Sequence, residues 1–301
     1  MDSLKIDKSV VICALARDCA NALTGNIARI EELRTSFRTS EVVVIENDSQ
    51  DNTKELLFDW KREGSRINIL SKDDFYRSPE GKDKSDVIPG TSMDRISRMS
   101  ICRNNYLNWI KNNRKTFDYV LMIDIDVEDF SIKGILESIK AAPSDWGGLF
   151  ANGYTDSKVA GFKFYKIFHD VYAFLDKMPS SKPYLTFAQM FRNSKLINKK
   201  LKENAYVPVV SGFGGLGIYK FEAIMNLQYK SVNNEDILME AVCEHIPFNI
   251  SVINRGYQNY ICEKMKVYYG ESKNLMVLRN LLPLPIFKFL AFMITFKKLK
   301  A

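Results

Sequence analysis

The sequence predicts an α/β protein built on a doubly wound, mostly parallel sheet flanked by helices. Three observations predict it: short continuous apolar runs, intervening segments with helical spacing, and the regular alternation of the two in the first part of the chain. Residues 9–16 (SVVICALA) form the first apolar run, the mark of a strand buried on both faces of a parallel sheet. Residues 21–37 follow, with Leu23, Ile27, Ile30 and Leu33 on one helical side. Residues 41–45 (EVVVI) predict a second strand, 53–61 a second helix and 67–70 (INIL) a third strand. A charged stretch from Lys72 to Gly90 reads as a lid, an acceptor loop or a solvated excursion. Residues 93–112 then predict a helix, and 119–123 (YVLMI) a fourth buried strand. This rhythm means right-handed βαβ units, whose ligands bind beyond the carboxyl ends of the strands.

The second half is less regular. A strand is expected over 146–152, an aromatic-rich segment over 160–175 and a glycine-rich run within 207–219. Helices are expected over 221–225 and 235–243, and a last strand near 249–253. Residues 1–270 are expected to form one domain, and 271–301 a C-terminal tail.

Composition narrows the function classes. With 301 residues, 46% of them hydrophobic and 12% aromatic, the chain can bury a sizeable core, which excludes wholesale disorder. The net charge of +7 suits anionic partners, but the lysines are dispersed and no base-reading motif appears, so nucleic acid is not an expected partner. Five cysteines without a Cys-x-x-Cys pair suggest neither a zinc ribbon nor a redox site, and imply a reducing, cytoplasmic compartment. Asp2, Lys5, Asp7 and Lys8 precede an apolar run too short for a secretory signal, and no stretch reaches a membrane span.

The most informative cluster is Asp124-Ile125-Asp126, directly after the YVLMI strand. Two carboxylates flanking one apolar residue point the same way in an extended chain, so both can reach one hard cation, Mn²⁺ or Mg²⁺. A solvated acidic turn would account for the same residues, since Glu128 and Asp129 follow. The loop Glu46-Asn47-Asp48-Ser49-Gln50-Asp51-Asn52-Thr53 occupies the ligand edge of the second strand, although helix capping explains much of it. Ala16-Arg17-Asp18 holds the same edge after the first strand, and Arg103 is a candidate partner for phosphate.

Together, ARD after the first strand, ENDSQDNT after the second, the RMSICRNNYL helix and DID after the fourth resemble the sugar-nucleotide-dependent glycosyltransferases of the GT-A fold. The later segments SGFGGLGIY (211–219) and CEHIPF (243–248) resemble a subgroup that includes the fungal capsule-associated mannosyltransferases and bacterial relatives. The resemblance implies that Asp124 and Asp126 form the DxD motif that binds metal and nucleotide diphosphate. It implies that Asp48 contacts the nucleoside, with Arg17, Glu46 and Arg103 in the same donor pocket. Gly212, Gly214 and Gly215 would approach the donor sugar or acceptor with bare backbone. For the base, Asp236 with its neighbour Glu235 fits a late helix start, where capping would use the same acids, and Glu244 is the rival. His245 would complete the metal shell. The partners implied are a nucleotide-sugar donor and a glycan or lipid-linked glycan acceptor of surface polysaccharide synthesis. The rival readings are a nucleotidyltransferase, whose glycine-rich phosphate loop is missing from ARDCANAL, and a non-catalytic, membrane-docked binding protein of the same fold.

After Asn280 the chain becomes apolar with two prolines, then ends in Lys297, Lys298 and Lys300. That pattern is too short to span a bilayer and suits a segment lying in an anionic interface, or one packing back on the protein. The expected location is therefore the cytoplasmic face of the cell membrane, as a peripheral protein. The oligomeric state is unreadable.

Overall fold

A parallel strand buried on both faces sends alternate side chains into two different cores. Strand β1 (Ile6–Ala16) does this: Val11 and Cys13 enter one cluster, and Val10, Ile12, Ala14 and Ala16 the other. The computed structural model describes residues 4–72, 90–159, 162–236 and 239–271, with 283, 285 and 286 beyond them. The expected lid at 72–90 and the membrane-contact tail fall almost wholly outside these described residues.

The order continues as α1 (Ala20–Arg34), β2 (Phe37–Asn47), α2 (Thr53–Glu63), β3 (Ile67–Lys72), α3 (Met93–Asn112), β4 (Tyr119–Asp124), β5 (Asp129–Phe130), α4 (Ile132–Lys140), β6 (Trp146–Val159) and β7 (Phe162–Phe168). The chain then forms α5 (Phe187–Glu203), β8 (Tyr206–Val209), β9 (Leu216–Lys220), α6 (Phe221–Ile224), β10 (Val232–Asn233), β11 (Ala241–Val242), α7 (His245–Ile253) and β12 (Gln258–Glu271). The main sheet runs β3-β2-β1-β4-β9-β6-β12-β5, with β7 paired to β6 and β8 to β12. Its first four strands are parallel; β9 enters antiparallel to both β4 and β6, and β6 and β12 are parallel again. One face is covered by α3, α5 and α7, the other by α1, α2 and α4. The chain leaves β1 toward β2 on one side and returns to β4 on the other. That reversal opens a crevice at the carboxyl ends of β1 and β4.

Two expectations for the second half are corrected. The described residues 235, 236 and 239–243 do not form a helix: β10 and β11 form an antiparallel ribbon pairing Val232 with Val242, and Glu235 takes the left-handed conformation at φ 59°. The Asn233 side chain accepts from the Glu235 N–H at 2.8 Å, an Asx-turn that competes with helix initiation. The buried Asn234 amide bonds to the Leu185 backbone on both sides. Residues 249–253 are not a strand but the end of α7, whose buried positions Ile246, Phe248, Asn249 and Val252 follow helical spacing. The last strand, β12, lies further on.

Asn249 shows why that helix is fixed in place. Fully buried, it donates to Ser211 Oγ and the Gly212 carbonyl, both at 3.0 Å, and accepts from Tyr219 Oη at 2.9 Å. Asn249→Leu would strand these groups without partners, at a cost of about 2–4 kcal/mol. Urea unfolding is the measurement, and a loss below about 1 kcal/mol would show the bonds to be dispensable.

Candidate active site

The crevice is a cavity of about 530 Å³ lined by several elements of the fold. Leu15, Ala16 and Arg17 come from the end of β1, Asn47 from the end of β2, and Asp124 and Asp126 from the end of β4. Helix α3 contributes Arg95, Arg98, Met99, Cys102 and Arg103, a spacing that sets all five on one helical face. The other walls are His169, Asp170 and Tyr172 after β7, Phe213 from the glycine-rich run, Cys243, Glu244 and His245 at the start of α7, and Tyr269 from β12.

Asp124 is the centre of this arrangement. Its backbone N–H donates to the Gly215 carbonyl at 2.9 Å, its Oδ2 accepts from Tyr269 Oη at 2.9 Å, and its Oδ1 lies 3.7 Å from the Arg103 guanidinium. Burial pushes its carboxyl up to about 7; Asp126 and Asp170 push the same way, and Arg103 and the Tyr269 hydroxyl oppose them. Asp126 is exposed to the cavity. Its loop is pinned from behind by Asn26 of α1, whose amide donates to the Ile125 carbonyl at 2.8 Å and the Val127 carbonyl at 2.6 Å.

Arg103 is buried rather than reaching out for phosphate. Its Nε donates to Glu244 Oε1 at 3.0 Å, and its guanidinium lies 5.1 Å from the Phe213 ring centre. Arg17, Arg95 and Arg98 instead supply the more accessible positive charge of the wall. Their nearest partners are the Asp18 carboxylate, the Gly90 carbonyl and the Asp94 carboxylate respectively. His245 is buried, its ring stacked on Phe213 at 4.0 Å, and neither ring nitrogen makes a hydrogen bond among the described residues. Burial, with Arg103 adding to it, holds its imidazole well below the ordinary value, so the ring is neutral. Cys19, Cys102 and Cys243 are buried in the cavity wall, and burial pushes all three thiols up, Cys19 to about 11.

The other predicted residues stand behind this wall or away from it. Glu46 is fully buried, where it accepts from the Ser49 N–H at 3.0 Å and from the Ser71 hydroxyl, so it shapes the β2 loop. Asp48, in the left-handed conformation at φ 52°, follows Asn47 at the cavity rim without lining it. Gly212, Gly214 and Gly215 also lie outside the lining. Gly214 (φ 64°) donates to Asp170 Oδ2 at 3.0 Å, and a Cβ on it would sit 2.3 Å from the Ala151 carbonyl. A Cβ on Gly215 (φ 86°) would sit 2.3 Å from Tyr269 Oη, so bare backbone there is what admits the tyrosine to Asp124. Glu235 pairs with Lys182 at 2.9 Å, and neither it nor Asp236 lines the cavity.

Sequence reasoning missed Arg95 and Arg98, Asp170 and Tyr269. The two arginines were legible, because their spacing to Arg103 places them on one side of a predicted helix. Asp170 and Tyr269 carry no local signal, since only tertiary pairing brings them to the cavity. Asp170 accepts from the Gly214 and Ala173 N–H groups at 3.0 and 3.3 Å, and burial raises its carboxyl above the ordinary value.

The donor set fits a hard divalent cation. Asp124 and Asp126 line the same cavity, and burial of Asp124, with the Asp126 and Asp170 carboxylates adding to it, disfavours its charged form in a way that a cation would relieve. No group of three His, Cys, Asp or Glu side chains at metal-ligand spacing occurs among the described residues. Water and donor phosphate oxygens would fill the remaining positions, as is usual for Mg²⁺.

The raised carboxyl has a consequence for stability. Unfolded, Asp124 titrates near 3.8 and folded near about 7, so the native state takes up a proton in that window. The associated stability is present at low pH and lost as pH rises through about 7. Asp124→Asn should therefore raise the melting temperature of the metal-free protein at alkaline pH, with the gain shrinking to nothing in acid. Calorimetry at several pH values checks this; an equal shift at every pH would contradict it.

The family model for Cryptococcal mannosyltransferase 1 matches residues 9–247. No curated protein sequence matches. Among solved structures, the mannosyltransferase PcManGT from Pyrobaculum calidifontis, in complex with GDP-Man and Mn²⁺, aligns with a TM-score of 0.50 at 14% identity over 90% of this chain and 59% of its own. The chain thus spans under two thirds of that protein's length. Glucosyl-3-phosphoglycerate synthase of M. tuberculosis aligns at 0.46 and 12% identity over 95% and 77% of the two chains. S. aureus TarS 1-349 aligns at 0.43 and 12% over 90% and 63%.

Proposed function

Because the chain belongs to the Cryptococcal mannosyltransferase 1 family and carries the GT-A fold, we propose that it transfers a sugar from a nucleotide-sugar donor to a glycan or lipid-linked glycan acceptor, with Mn²⁺ or Mg²⁺ bound. One observation carries this reading: Asp124 and Asp126 stand at the reversal point of the sheet, in a cavity whose opposite wall is an arginine-bearing helix. Asp124 and Asp126 would hold the cation, which, when bound, supplies positive charge to the leaving diphosphate.

The chain's own residues account for the rest. Arg17, Arg95 and Arg98 line the cavity and would act as counter-charges to the phosphates, and Asn47 of the lining, with Asp48 next to it in the chain, would serve the nucleoside. Arg103 orders the site from within by tying Glu244 to the Asp124 side of the cavity. In the transfer, the bond between the anomeric carbon and the diphosphate oxygen breaks, and its electron pair leaves with the nucleotide. The acceptor oxygen bonds the same carbon and gives up its proton. Asp170 is the acceptor we favour for that proton, because it lines the cavity, its carboxyl is raised by burial, and two backbone N–H groups fix its orientation. Glu244 is the alternative in the same wall. The C-terminal tail would place the enzyme at the membrane surface that carries a lipid-linked acceptor. No helix among the described residues is long and apolar enough to cross a membrane.

Nucleoside diphosphate release from a panel of UDP-, GDP- and dTDP-sugars, and CMP release from CMP-sugars, tests the donor reading. Turnover with one donor, abolished by chelator and by Asp126→Ala, is expected. Absence of donor binding and indifference to metal would reduce Asp124 and Asp126 to an acidic turn. The base is separable: Asp170→Asn should lower kcat by about a hundredfold or more while leaving nucleotide affinity intact. If Glu244→Gln does that and Asp170→Asn does not, the roles are exchanged.

A further inference from the structure

A second cavity lies on the other side of β6. It measures about 440 Å³ and is lined by Asn152 and Tyr154 of β6, Lys166 of β7, Asn198 and Lys202 of α5, and Glu263 and Lys266 of β12, with Leu201 beside them. That volume is within the usual range of small-ligand sites. The register of the sheet explains the gathering. Lys266 lies opposite Asn152 and Tyr268 opposite Tyr154 in the β6–β12 ladder, so these side chains share one face, while Gly153 between them packs against Gly214 on the other.

The floor of this cavity presents an amide that is open to an occupant. Asn152 is only 8% exposed, lines the cavity, and makes no side-chain hydrogen bond to any described residue. Its oxygen and nitrogen can each pair with a group that enters the cavity. Around it stand three ammonium groups and one carboxylate. Lys266 pairs with Glu263 at 2.7 Å; Lys166 lies over the Tyr154 ring at 4.1 Å, and Tyr154 packs on Tyr268 at 5.2 Å. Lys202 has no ion pair among the described residues, so the cavity carries an excess of positive charge.

We propose that this cavity binds a phosphorylated saccharide. Three ammonium groups and the Asn152 Nδ2 offer more donors than the two oxygens of a carboxylate use, and match the three terminal oxygens of a phosphate monoester. The acceptors left over, Asn152 Oδ1 and the Glu263 carboxylate, suit sugar hydroxyls. The two cavities share a wall: the His169 N–H donates to the Gly153 carbonyl at 3.0 Å, between Asn152 and Tyr154, and His169 and Asp170 line the catalytic side. A ligand bridging β6 and β7 would thus brace the ladder from which Asp170 is hung. The proposal stands on this cavity's own lining and does not require the donor reading to hold.

Calorimetric titration of the full chain with glucose 6-phosphate, glucose and inorganic phosphate tests it. One-to-one binding of glucose 6-phosphate is expected, stronger than that of phosphate and absent with glucose. Asn152→Leu, and separately the pair Lys166→Ala with Lys202→Ala, should each weaken it about tenfold or more. Asp126→Ala should leave it unchanged, which separates this cavity from the catalytic one. Thermal melts of the lysine pair, both residues being exposed, guard against loss of fold. Phosphate binding as tightly as the sugar phosphate would mean an adventitious ion only and overturn the proposal. So would binding that survives the lysine substitutions, binding lost in Asp126→Ala, or no binding at all.

Discussion

The carboxylate of Asp124 is the constraint on which the rest of the site depends. A charged group at the end of a buried parallel strand has to be met by partners, and two separate parts of the chain meet it, α3 through Arg103 and β12 through Tyr269, while the Gly215 carbonyl of the glycine-rich run accepts from the Asp124 backbone N–H. Each partner is itself held. Arg103 is fixed by Glu244 and Phe213, and the Tyr269 ring stacks on His169 at 3.8 Å. Residues far apart in sequence are therefore obliged to converge on one point, and the cavity is the space they leave.

The scaffold behind the cavity is polar at chosen places. Asn26 holds the loop after β4, Asn249 joins α7 to the glycine-rich run, and Asn259 donates to the Val210 and Asn249 carbonyls. Each buried amide ties an irregular backbone segment that no strand ladder reaches. That is how a sheet with an antiparallel insertion keeps its loops in register.

The first half of the fold was legible because its strands are buried on both faces and read as unbroken apolar runs. SVVICALA, EVVVI, INIL and YVLMI all lie in parallel strands, and the DID that follows the last of them sits at the cavity as its position suggests. The second half was harder. Asn233 and Asn234 look like helix caps, yet they form a turn and a buried bracket; Asn249-Ile250-Ser251-Val252-Ile253 is rich in β-branched residues, yet it is helical because α7 buries one side of it. Glu46 and Arg103 were expected in the donor pocket; Arg103 does line the cavity, from a buried position where it bonds to Glu244, whereas Glu46 stands behind the wall and bonds to Ser71, and both partners come from distant segments. Asp170 and Tyr269 had no motif to announce them. What pattern does not carry is the pairing of β6 with β12, and both residues depend on it.

Three thiols sit in the wall around two carboxylates, and all three are held protonated by burial. The thiolate, not the thiol, is the nucleophile, so these three side chains line the cavity as small buried hydrophobes rather than as reactive groups. The same burial makes the wall resistant to oxidants and alkylating agents while the fold is intact.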